Sequence, residues 1–115
     1  MANPHRGEVS FEADGKTWTM VFTTNAICEL EAETGESIHA FGSKLDAPSM
    51  KMVRVMVWAA LRPRHPEITI EAAGDIMDAI GVEKAGNLVS RAMSLLFTEA
   101  KGKPGPRKAG RAGSG

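Results

Sequence analysis

The residues of this 115-residue chain with reactive side chains are three histidines, one cysteine, a few serines, two acid pairs at helical spacing and a basic C-terminus. His5, His39 and His65 lie far apart, and no His-x3-His or Cys-x2-Cys spacing gathers them. A zinc site needs three or four convergent ligands, so solvated surface histidines are the better reading. Glu29 and Glu33 stand four residues apart, and Asp75 and Asp78 three apart. Such pairs do acid–base work when burial splits their pKa values. Both fall on the polar faces of their helices, which favours a solvated acidic surface. Cys28 lacks the electropositive neighbours that make a reactive thiolate and reads as a half-buried packing residue. Ser10, Ser43 and Ser94 have no nucleophile-elbow context, and there is no G-x-G-x-x-G or phosphate loop. The pattern points to contact rather than chemistry: no catalytic residue, no metal and no cofactor.

Charge is divided along the chain. Residues 101–115 hold five of the 14 basic side chains (Lys101, Lys103, Arg107, Lys108, Arg111) and none of the 14 acids, so they carry +5 and the remainder −5. The tail can neutralise phosphates or meet an acidic partner, but it has no aromatic on which bases would stack. A nucleic-acid role is therefore disfavoured. From Gly102 onward nothing large and apolar remains to bury, and the tail is expected to be disordered. The longest apolar run, Val55 to Leu61, is far short of the ~20 residues of a membrane helix. The opening MANPHRGEVSF has no apolar h-region and a single cysteine excludes an intrachain disulfide, so a cytoplasmic setting is expected.

The elements follow from local pattern. EVSFEADGKTWTMVF over 8–22 centres on Asp14-Gly15, which suits a type I′ hairpin turn. That turn opposes Ala13 to Lys16, Phe11 to Trp18 and Val9 to Met20 on one face, leaving Glu8, Ser10, Glu12, Thr17 and Thr19 on the other. Two strands alone are marginal, so helices must cover the apolar face. The Thr23-Thr24-Asn25 run can cap a helix over about 25–34, with Ala26, Ile27 and Leu30 inward and Gly35 ending it. A short turn, SIHAFGSKL, would point Ile38, Phe41 and Leu45 inward. Asp46 and Pro48 are placed to start a helix over about 48–62 whose second half is apolar all round. Two prolines in Arg62-Pro63-Arg64-His65-Pro66 enforce a polar elbow. Thr69 then caps a helix with the stripe Ala73, Ile76, Met77, Ile80, which Gly81 ends. A last helix spans about 82–100, and the cost of Gly86 moves its expected start toward Asn87. Met50, Met52 and Met56 share one helix with Trp58. Methionine suits adaptable contacts and tryptophan anchors them, so Met52, Met56, Trp58 and Leu61 are the candidate partner-binding residues.

RGEVSFEADGKTWTMVFTTNAICELEAETG at 6–35, WAAL at 58–61, HPEIT at 65–69 and EAAGDIMDAIG at 71–81 occur in an order that resembles a small family found in gene transfer agents and tailed phages of alphaproteobacteria. The likeness covers about residues 4–100. It implies a phage tail assembly chaperone that coats the tape measure protein, recruits tail tube subunits and is absent from the finished particle. The basic tail falls outside it.

Together these readings give an α+β, mostly α domain over 1–100: an N-terminal β-hairpin packed on four to five short helices, with a disordered basic tail over 101–115. The expected function is a non-enzymatic tail assembly chaperone with the tape measure and tail tube proteins as partners. A structural tail tube or terminator subunit is the alternative, followed by a nucleic-acid-binding accessory acting through the tail. Self-association stays open.

Overall fold

Strand pairing is dictated at the turn. In a computed structural model of the chain, which describes residues 7–37 and 49–102 (side chains through Phe97), Asp14 and Gly15 both have positive φ, 55° and 74°. A type I′ turn requires this of its two central residues; glycine adopts it freely, and asparagine and aspartate more readily than other side chains. The antiparallel strands β1 (Val9–Ala13) and β2 (Lys16–Met20) therefore pair Val9 with Met20, Phe11 with Trp18 and Ala13 with Lys16, as the sequence predicts. Val9, Phe11, Ala13 and Met20 are buried.

The Thr23 hydroxyl accepts the Ala26 N–H and starts α1 (Thr24–Thr34). Ala26 and Leu30 are buried, and the N–H of Gly35 donates to Glu31 O to end the helix. The next helix, α2 (Met50–Leu61), is capped by the Ser49 hydroxyl, which accepts from Met52 N–H. The expected start near 48 with Asp46 as cap is thus corrected: serine supplies the acceptor at the helix entrance. Residues 38–48, including the expected turn with Ile38, Phe41 and Leu45, lie outside the described residues, as do His5 and His39. α3 (Ile70–Ile80) is capped by Thr69, and its stripe buries Ala73, Ile76 and Met77. α4 (Val82–Gly102) begins after one residue, Gly81, at φ 94° and ψ 143°, a region costly for any residue with a Cβ.

Gly86 does not delay α4. The Ala85 N–H bonds to Gly81 O and the Ala85 methyl is buried, so the first turn is held by packing that outweighs the roughly 1 kcal/mol glycine penalty. The helix also runs to Gly102, two residues beyond its expected end. The rest of the basic tail, from Lys103, is outside the described residues.

Among the described residues the molecule is thus a two-stranded hairpin and four helices, with one contiguous apolar core. α2 is its axis. It packs against α1, α3, α4 and β2, and from Val55 to Leu61 every side chain except half-buried Trp58 is buried. The Val21 N–H, just past β2, donates to Ala60 O at 2.9 Å, tying the hairpin exit to the end of this helix.

Replacing Leu61, which is 0 % exposed, by alanine should cost about 2–5 kcal/mol of unfolding free energy. Thr69→Ala, which removes only a cap, should cost about 1 kcal/mol. Urea denaturation of the two variants beside the wild type checks both the sizes and the order.

Candidate docking surface

The four residues expected to bind a partner do not form one surface. Met56 and Leu61 are 2 % and 0 % exposed, in the core, because α2 is surrounded on the side they occupy. Trp58 is half-buried and held in place: its indole N–H donates to Ile68 O at 3.1 Å, and the Arg62 guanidinium lies 5.5 Å from its ring centroid. Met52, also half-buried, lines a cleft of about 280 Å³ with Val55, Ile70 and the polar residues Glu33, Lys51 and Arg54. Of the tail cations expected to contact phosphate or an acidic partner, Lys101 falls in the last turn of α4. Lys103, Arg107, Lys108 and Arg111 are beyond the described residues.

The elbow is more closely tied to the fold than its composition suggests. Arg62 donates to both carboxylate oxygens of Glu29 on α1, at 2.8 and 3.2 Å, and to Pro66 O at 2.8 Å. Arg64 donates from Nε and Nη2 to Glu8, whose side chain is nearly buried just before β1. His65 Nε2 accepts the Thr19 N–H of β2 at 3.2 Å, and its ring stands 4.8 Å from that of Trp18. Three expectations are thereby corrected. Glu29 is paired rather than simply solvated, Glu8 is covered rather than outward-facing, and His65 is a strut between elements rather than a solvated surface histidine. A basic side chain can span from an elbow to an acid distant in sequence, and neither partner's own neighbourhood records it. Cys28 departs the other way: it is exposed, because the inner face of α1 is taken by Ala26 and Leu30.

Beside the elbow, Trp18, His65, Pro66, Ile68 and Ala72 line a shallow groove of about 420 Å³ that Lys16 partly roofs, its Nζ 4.3 Å from the Trp18 centroid. A second groove, of about 370 Å³, runs between α2 and α3. Its apolar lining is Met50, Met77 and Val82; its polar lining is Glu71, Asp75, Asp78 and Arg54. Gly74 opens it: a Cβ there would stand 3.2 Å from Arg54 Cδ, so the arginine stem lies directly across the glycine. Met50 is 60 % exposed and Val82 41 %, two of the three large hydrophobic side chains, with Phe97, left exposed among the described residues. The sequence did carry a signal for this groove. Met50 and Val82 are apolar residues at the first position of their helices, and neither belongs to a stripe that the core requires.

Among the described residues no three His, Cys, Asp or Glu side chains converge as a metal ion would need, and no helix is long and apolar enough to cross a membrane. Compared with protein families, characterised proteins and solved structures, the chain matched none.

Burial, and after it the nearby Lys16 ammonium, lowers the pKa of His65 below its ordinary 6.5. Its bond to Thr19 needs an unprotonated Nε2. The stability this depressed pKa contributes is therefore complete above pH 6.5 and is lost as pH falls through the folded-state value. His65→Gln keeps an acceptor for Thr19 without titrating there. Urea denaturation at about pH 7.5 and about pH 5.5 should show a larger loss for the wild type than for the variant.

Proposed function

We propose that this protein is a non-enzymatic binding protein that shelters an apolar segment of another polypeptide, acting as an assembly chaperone in the construction of a phage-like tail. The observation that carries the reading is the pair Met50, 60 % exposed, and Val82, 41 % exposed, at the mouth of a groove floored by Met77, beside a core that encloses most of the other large hydrophobic side chains of the described residues. A methionine pair is an adaptable lining, able to repack around different apolar side chains. The tail context is supported by the ordered likeness of 6–35, 58–61, 65–69 and 71–81 to gene transfer agent tail assembly chaperones. In that setting the tape measure and tail tube proteins are the partners, and the encounter takes place in the cytoplasm before the particle is complete.

Affinity capture with tagged full-length protein from particle-producing cells tests the proposal. The tape measure protein should be retained. Mass spectrometry of purified particles should then find the chain absent or far below the copy number of tail subunits. Stoichiometric presence in the particle would favour the structural tail component instead.

A further inference from the structure

The groove between α2 and α3 has a charge pattern of its own. Glu71, Asp75 and Asp78 line it, all exposed, and none makes an ion pair with a described residue. Its single cation, Arg54, is drawn inward: its stem crosses Gly74 and its Nε is buried without a hydrogen-bond partner. Asp78 lies near the C-terminal end of α3, where the helix dipole disfavours an acid, and the last turn of that helix contains no basic residue. Asp75 and Asp78, three apart on one helix, also repel each other. The groove thus sets three exposed acids against one cation, beside exposed Met50 and Val82.

We infer that this groove seats an amphipathic helix of another polypeptide whose apolar face is flanked by lysine or arginine. The inference rests on the binding-protein reading above and names the chemistry of the partner. Met50, Met77 and Val82 take the apolar anchors at helical spacing, while the cations reach Asp75 and Asp78 and lift the electrostatic cost at the end of α3. A helix suits the site better than a strand, because the walls are helical and offer no open sheet edge. The chain's own tail is basic, but from Gly102 it has no large apolar side chain to place against the methionines.

The test uses full-length protein labelled at its methionine methyls. The probe is a synthetic helical peptide of about 18 residues with leucines on one face and flanking lysines, compared with a twin carrying glutamates instead. The methyl resonances of exposed Met50 and of Met77, buried in the groove floor, should shift with the lysine peptide, while those of Met20 and Met56, which line no part of the groove, stay in place. The glutamate peptide and the Asp75→Lys/Asp78→Lys variant should each lose about tenfold in affinity. That variant should keep its urea midpoint, since lysine near the end of α3 suits the dipole. Absence of shifts at Met50 and Met77, shifts centred on Met52, or equal affinity for the two peptides would overturn the inference. The two ideas fail separately. If the tape measure protein is captured equally by wild type and by Asp75→Lys/Asp78→Lys, this docking site is wrong and the chaperone reading stands. If the lysine peptide binds here but no tail protein is captured, the site stands and the chaperone reading falls.

Discussion

The chain leaves α2 at a point where almost everything around it is apolar, and it must reverse there without abandoning backbone groups in the core. Arg62 to Pro66 meet that demand. The His65 N–H closes on Leu61 O, the Ala60 carbonyl is satisfied by Val21 of the hairpin exit, and the Trp58 indole reaches Ile68 O beyond the turn. The side chains of three of these five residues then extend to three other parts of the molecule: Arg62 to α1, Arg64 to Glu8 before β1, and His65 to β2. Taken singly these ties are modest. Both partners of the Arg62–Glu29 pair are about a third exposed, and such pairs contribute at most about 1 kcal/mol. Their importance is geometric, since one short segment sets the hairpin, α1 and α3 relative to the axial helix.

That arrangement explains why apolar surface remains exposed beside α2. With the C-terminal half of α2 sealed by the hairpin, α1, α3 and α4, its N-terminal turn is left projecting, so Met50 faces outward beside Gly74 and the start of α4. The one-residue junction at Gly81 brings Val82 to the same groove. A fold built this way leaves apolar surface at the rim of the bundle, outside the closed core.

Much of this was legible in the residues. Asp14-Gly15 set the hairpin register, Thr23 and Thr69 marked helix starts, and the Ala73–Ile76–Met77 stripe identified the buried face of α3, because each depends on local chemistry. Which apolar residues of α2 stay exposed is not legible in the same way. The density of methionine and tryptophan in α2 marks Met56 and Leu61 as contact residues, yet an all-apolar turn is what an axial core helix also needs. Choosing between core and surface requires knowing how many neighbours surround the helix, and that is a tertiary fact. The Glu8–Arg64 contact spans 56 positions and His65–Thr19 spans 46, so no window of sequence contains either. Asp46 and Ser49 are both good cap acceptors, and Pro48 between them favours the earlier start, so local pattern alone points away from the serine that caps α2.

If the exposed groove at the head of α2 is where this protein meets another polypeptide, a crosslinker placed there will capture that partner. Site-directed photo-crosslinking from position 50 in particle-producing cells, with position 28 on the exposed side of α1 as control, tests this directly. Position 50 should give a specific adduct with a tail protein, and position 28 none. Adducts of equal yield from both positions, or none from position 50, would contradict that location.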